Sequence, residues 1–239
     1  MYRPGSAGYS ALRQAVRLWV KHAKDAATWC GCSWAGGGVG FALAPGSLSV
    51  VSLVAGGAAG VTLAVWRWRR PSQWRSWLQG ARAEYRTGRQ LNRLKREGWG
   101  VLHDRRIPRS RANLDHVLVH PSGEFLVYVD TKAWHAKKAI VRVNQGRLMY
   151  GPWSQAQKVE TVAWEASRLQ ELIGLPTYAV IAVDGGKVNG GTLIFNGVRV
   201  TESASLVETL DSFSSRLLPC RDVVDGVTRN IRRDFAVAR

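Results

Sequence analysis

Forty-one consecutive residues, 26–66, carry no charge. One membrane-spanning helix needs about 20 apolar residues, so the block is too long for a single span and suits two. Ala44-Pro45-Gly46-Ser47 lies near its middle, and a Pro-Gly turn interrupts a helix. The expectation is a transmembrane helical hairpin over 26–44 and 48–66. Its flanks agree. Arg13, Arg17, Lys21 and Lys24 precede the block, and Arg67, Arg69, Arg70 and Arg75 follow it. Basic flanks favour the cytoplasmic side, and only an even number of crossings puts both there. Trp29, Trp34, Trp66 and Trp68 stand near the span ends, where indole rings favour the interface. The glycines of the first span leave a re-entrant or interfacial segment as the alternative. The reading is a multi-pass cell-membrane protein with two spans and its remaining domain in the cytoplasm.

Charge is concentrated around that block. The 239-residue chain carries a formal net charge of +17. Residues 67–112 alone hold fourteen Lys/Arg against three acids. Such an excess attracts polyanions, either nucleic acid or an anionic membrane surface, and does not choose between them. The three cysteines, Cys30, Cys32 and Cys220, read as free thiols, because no Cys/His ligand spacing for zinc accompanies them. The organisation expected is a basic N-terminus (1–25), the hairpin (26–66), a basic linker (67–77), a domain over 78–215 and a C-terminal helix (216–239).

The domain reads as mixed α/β. Residues 72–97 fit a helix with Trp77, Ala81, Gly88 and Leu91 on one stripe and Glu84 on that same stripe. Strands are expected over 99–103, 113–120 and 124–134, the last two joined by the turn Pro121-Ser122-Gly123. A hairpin follows over 139–150, then a helix over 155–173 with Val159, Val162, Ala166, Leu169 and Ile173 on one face. Strands over 178–183 and 198–201 and helices over 204–217 and 220–235 complete the chain.

The chemistry sits on the paired strands. Side chains alternate along a strand, so Asp130 and Lys132 share a face, and the hairpin can set Asp115 beside Asp130. Two carboxylates and an ammonium at one sheet end suit metal-assisted phosphodiester hydrolysis. Mg²⁺ prefers carboxylate oxygens and keeps several waters. The metal polarises a phosphoryl oxygen and acidifies a bound water. A lysine beside it stabilises developing charge. The spacing alone equally fits strand-end acids paired with Lys132. Glu84 and Gln155, at the inward start of the 155–173 helix, extend the group. His116 alternates away from Asp115, and His103, His116 and His120 read as packed or strand-surface histidines. Arg105, Arg106, Arg109 and Arg111 suit phosphate-backbone contacts. Trp134 and Trp153 could stack on bases or pack against the domain.

Three stretches together carry a family resemblance: Trp99 to Pro108, Ser110 to His116 with Pro121-Ser122-Gly123, and Asp130-Thr131-Lys132-Ala133-Trp134. They resemble the nuclease-related domain (NERD) family, itself similar to the PD-(D/E)XK nuclease superfamily. Glu84 to Leu91 resembles its first helix, and Ser154-Gln155-Ala156 its later Gln-Ala helix start. The resemblance implies a restriction-endonuclease-like central mixed sheet flanked by helices. It implies Glu84, Asp115, Asp130, Lys132 and Gln155 at the active-site positions, with the three acids holding Mg²⁺ or, in its place, Mn²⁺. DNA is the implied partner, and no small-molecule organic cofactor is expected. Two departures stand out: Leu114 replaces a proline before the first Asp, and Asp130 stands where many superfamily members have Glu. The expectation is a membrane-anchored DNA endonuclease. The alternative is a non-catalytic, membrane-tethered DNA-binding or scaffold module.

Overall fold

The computed structural model describes residues 3–43, 46–69, 73–136, 138–213 and 219–238. It divides into two compact units, 12–78 and 1–11 with 79–239.

The smaller unit is helical. Helix α1 runs Tyr9–Leu43 and helix α2 Ser47–Arg69. Two helices therefore cover the uncharged block, with α1 starting at Tyr9, well before the anticipated 26, and α2 running on to Arg69. Of the anticipated turn, Ala44 and Pro45 lie outside the described residues, as does Arg70 of the basic flank. Glycines let the two helices approach. A Cβ at Gly57 would sit 3.1 Å from the Trp34 ring, and one at Gly60 would sit 3.0 Å from the Ser33 Cβ. Trp68 meets Trp19 edge-on, with ring centroids 6.4 Å apart.

The membrane reading is corrected. Among the described residues no helix is long and apolar enough to cross a membrane. Helix α1 joins the apolar segment to the charged stretch from Arg13 to Asp25, and its apolar half is glycine-rich. Helix α2, of 23 residues, has small residues through its middle and arginines at its end. The two-span anchor, the integral-membrane partner and the multi-pass localisation are thus unsupported. The cytoplasmic placement of the domain rested on the same topology and loses its basis.

The larger unit is the mixed α/β domain. Helix α3 (Gln73–Leu91) is followed by a 3-10 turn over Asn92–Glu97. Strands β1 (Gly100–Arg106), β2 (Asn113–Val119) and β3 (Leu126–Ala133) come next. A small excursion holds β4 (Ile140–Asn144), β5 (Arg147–Tyr150) and β6 (Trp153–Ser154). Helix α4 (Ala156–Ile173) leads to β7 (Thr177–Asp184) and the short β8 (Lys187–Val188). Strands β9 (Thr192–Phe195) and β10 (Val198–Glu202) precede helices α5 (Leu206–Asp211) and α6 (Arg221–Asp234). The expected helix over 204–217 is shorter than anticipated, and 214–218 lie outside the described residues.

The main sheet has the order β1-β2-β3-β7-β10-β9. Strands β1 to β3 form an antiparallel meander, β3, β7 and β10 are parallel, and β9 is antiparallel to β10. The parallel β3–β7 pair needs a crossover, which the β4–β6 excursion and α4 supply. That excursion joins β8 in a second sheet, β6-β5-β4-β8. The tight β2–β3 turn depends on Gly123 (φ 76), whose N–H donates to the His120 carbonyl at 2.8 Å.

Both sheet faces are covered. Val117, Tyr128, Ile181 and Val200 share one apolar core with Val159, Val162 and Leu169 of α4. Val101, Leu118, Val127, Val129 and Val180 share the other with Leu91 of α3 and Leu206 and Leu210 of α5. The α3 stripe holds at Ala81, Gly88 and Leu91, which are buried, whereas Trp77 is 45% exposed. Gly88 lies close to its neighbours: a Cβ there would stand 2.3 Å from Ala7 Cβ. Gly88→Val is therefore expected to destabilise the domain by about 1–3 kcal/mol through overpacking. Urea unfolding checks this, and an unchanged midpoint would contradict the close approach.

Candidate active site

The β1–β2–β3 meander brings acids into one row. The register pairs His103 with His116 and Arg105 with Leu114, so the rung between them carries Asp104 and Asp115. His116 pairs with Val129, so the next rung sets Asp115 beside Asp130. The expected Asp115–Asp130 neighbourhood follows from that two-residue alternation.

Asp130 is buried and held by Lys132, whose Nζ donates to Oδ1 at 3.0 Å. Nζ also lies 2.8 Å from Oδ2, but that oxygen accepts no directed hydrogen bond. Asp115 Oδ2 accepts the Thr131 backbone N–H at 2.9 Å. Burial pushes the Asp115 carboxyl well above the ordinary range. Glu84 and Asp130 push it further, against Lys132 and the Thr131 hydrogen bond. Glu84, reaching in from α3, is raised to about 8 by burial, then by Asp104 and Asp130, with Lys132 opposing. Burial alone would lower the Lys132 ammonium, yet Asp130, Asp115 and Glu165 outweigh it and raise it above its ordinary value. Glu84, Asp115, Asp130 and Lys132 therefore form one electrostatic group. They do not form a ready-made cage: among the described residues no three His, Cys, Asp or Glu are grouped to hold a metal ion.

Gln155 stands where expected, as the residue before α4, and is buried. Its Nε2 donates to the Trp153 carbonyl at 3.2 Å rather than to an acid, and its Oε1 has no hydrogen-bond partner. Arg106, Arg109 and Arg111 line a cavity of about 300 Å³ at the β1–β2 turn, beside the strand end that carries Asp115. Arg105 does not join them, because its Nη1 donates to the Phe235 carbonyl at 3.4 Å. Trp134 is buried and stacks on Tyr150, with centroids 5.1 Å apart, whereas Trp153 is exposed.

His116 faces away from the acids, as alternation requires. Its Nδ1 lies 2.9 Å from His103 Nδ1, and its Nε2 lies 3.2 Å from Thr131 Oγ1. Burial lowers both rings, His103 to about 4 and His116 well below its ordinary value, so the pair is neutral at physiological pH.

Four features were not singled out from the sequence. Glu165, on the inward face of α4, accepts the Tyr128 hydroxyl at 2.7 Å and is raised to about 7 by burial, with Asp130 adding to it. An acid three residues after Val162 on an apolar stripe was its signal, the same one that marks Glu84. Lys158 lies in the first turn of α4, where the Lys132 and Asp130 charges both act on it. Asp104 is buried in a left-handed backbone conformation (φ 53) and accepts the Ser10 N–H at 3.0 Å. Asp184, ending β7, is bound by Arg86 Nε at 3.1 Å and lies 3.2 Å from His135 Nε2. These last two depend on pairings that are remote in sequence.

Tyr128→Phe removes a hydrogen bond that lowers the Glu165 titration. The expected result is a higher Glu165 pKa, read by carbon-detected NMR of labelled glutamate. A lower or unmoved value would show that the 2.7 Å contact does not act on the ionised form.

The nuclease-related domain (NERD) family model matches residues 79–185. No curated protein and no solved structure matches the chain.

Proposed function

Residues 79–185 belong to the nuclease-related domain family, and on that premise we propose that the chain is a metal-dependent nuclease that hydrolyses DNA phosphodiester bonds at the Asp115–Asp130–Lys132 edge. The observation that carries the reading is the Asp130–Lys132 pair. One oxygen of a buried carboxylate lacks a directed hydrogen bond, next to two acids whose charges disfavour one another.

A divalent cation suits these donors, since it relieves the acid–acid repulsion and accepts carboxylate oxygen. The fit is to Mg²⁺, or Mn²⁺ in its place, held by Asp115 and Asp130, with Glu84 behind them. Mg²⁺ is usually bound through one or two carboxylates plus substrate phosphates, so a three-acid cage is not required. When bound, it polarises the phosphoryl oxygen and acidifies a water. Lys132 stays protonated, so it donates to the attacking water or to the phosphoryl oxygen and does not take a proton. Gln155, through its free Oε1, orients a water. Arg106, Arg109 and Arg111 hold the DNA backbone on the approach to the acids.

Plasmid DNA incubated with the full chain and Mg²⁺ tests the reading. Nicking that stops with EDTA and is lost in Asp115→Asn is the expected result. The lack of a three-acid group among the described residues favours one second reading, a DNA-binding module without cleavage. Salt-sensitive DNA binding with no nicking in either metal would select it.

A further inference from the structure

A second cationic pocket lies away from the acid row. It has a volume of about 680 Å³ and is formed by the 3-10 turn after α3, the start of β1 and helix α6. Lys95, Arg96, Arg221 and Arg232 line it, with Asp225 as the one acid among the lining residues. None of the four cations has an ion-pair partner among the described residues. They strain one another instead: partial desolvation of the Lys95 ammonium lowers its pKa, and Arg232 lowers it further.

The wall also carries an unsatisfied donor. Thr228 is 8% exposed, and its Oγ1 has no hydrogen-bond partner. That hydroxyl points at Gly100, another wall residue, where a Cβ would stand 2.4 Å from it. The missing side chain makes room for the hydroxyl, which is buried in the pocket wall. A buried hydroxyl without a partner is destabilising, and four clustered cations facing a single wall acid add to that. A ligand with several anionic oxygens satisfies both at once. Gly100 and Asp104 are four residues apart on β1, roughly 14 Å at about 3.4 Å per residue, so the pocket is separate from the acid edge.

We propose that this pocket binds a phosphate group through Lys95, Arg232 and the Thr228 hydroxyl. The phosphate comes either from a nucleic-acid backbone or from a free phosphate species. The inference stands on the pocket alone and does not require the nuclease reading.

Calorimetric titration of the full chain with inorganic phosphate is the first measurement, and saturable binding is expected. The variant carrying both Lys95→Ser and Arg232→Ser should bind at least tenfold more weakly. Both residues are exposed, so the fold is retained. Thr228→Val, similar in shape and free of the unsatisfied hydroxyl, should also bind more weakly without losing stability. The salt dependence of binding to a 20-base-pair DNA duplex identifies the source. Each backbone-contacting cation lost should reduce the slope by about one. A slope lower by about two in the double variant assigns a backbone phosphate. An unchanged slope with weakened phosphate binding assigns a free phosphate species. If the parent shows no saturable phosphate binding, or both variants bind as tightly as the parent, the proposal is overturned. Loss of plasmid nicking in Asp115→Asn with phosphate binding intact would separate the two sites.

Discussion

Lys132→Ala should lower Mg²⁺-dependent DNA cleavage by at least about a hundredfold, the loss typical when one charge-stabilising donor is removed. The ammonium serves two neighbours. It sits 2.8 Å and 3.0 Å from the two oxygens of buried Asp130, and it opposes the raised pKa of both Glu84 and Asp115. Its removal leaves Asp130 buried beside Asp115 without a counter-charge, and breaking a buried pair from one side costs about 3–5 kcal/mol. Part of any loss of activity could therefore come from misplacement of the acids. Lys132→Arg separates the effects. It keeps the charge, but a planar fork replaces the compact ammonium. Recovery of stability without recovery of cleavage would assign Lys132 to the reacting phosphate. Single-turnover nicking with urea unfolding of each variant gives both readouts. Cleavage by Lys132→Ala at the parent's rate would remove Lys132 from the chemistry.

The second large effect is on stability against pH. In the metal-free chain Glu84 titrates near 8 and Glu165 near 7, both raised from 4.5. An acid whose folded pKa is raised stabilises the fold fully below its unfolded pKa, and that contribution is lost as pH rises through the folded pKa. His103 and His116 act oppositely. Their folded pKa values are depressed below 6.5, so their contribution is lost on acidification and is complete above pH 6.5. The two effects compete between about pH 4.5 and 6.5. Between pH 6.5 and 8.5 the acids act without that opposition. Stability in EDTA should fall across the upper window by on the order of 2–3 kcal/mol, from roughly 1.4 kcal/mol per pKa unit. Millimolar Mg²⁺ should restore more stability at pH 8.5 than at pH 6.5, because the ionised acids hold the cation. Denaturant titrations at the two pH values, with and without metal, measure this. Metal-free stability that is flat or rising from pH 6.5 to 8.5 would contradict the shared burial of Glu84 and Glu165.

Much of the site was legible because it is local. Asp130 and Lys132 share a face through two-residue alternation, and one tight turn sets Asp115 beside Asp130. Alternation likewise sent His116 to the opposite face, where it meets His103 and Thr131. Glu84 was readable as an acid on an apolar helical stripe. Glu165 carries the same signal on α4, obscured by the more numerous apolar residues of its face. The hairpin at 26–66 shows the limit of reading a charge-free run. Lack of charge foretold two helices and suggested that they span a membrane, but helix formation and membrane insertion have different requirements. Glycine and alanine satisfy the first by close packing, as at Gly57 and Gly60, without supplying the apolar length that the second demands.

The sequence by itself determined the paired strands, the inward faces of α3 and α4, and the identity of the Asp115–Asp130–Lys132 group. Periodicity and turn chemistry act over a few residues and are written in the order of side chains. Tertiary structure alone decided what surrounds that group: Asp104 anchored by Ser10, Asp184 held by Arg86, Glu165 bridged to Tyr128, and a separate pocket joining Lys95 to Arg232. Those partners are 37 to 137 residues apart in the chain. They meet only when the sheet order β1-β2-β3-β7 and the packing of α3, α4 and α6 against it are set. Long-range contact and burial then assign each carboxylate its charge state, which spacing does not encode.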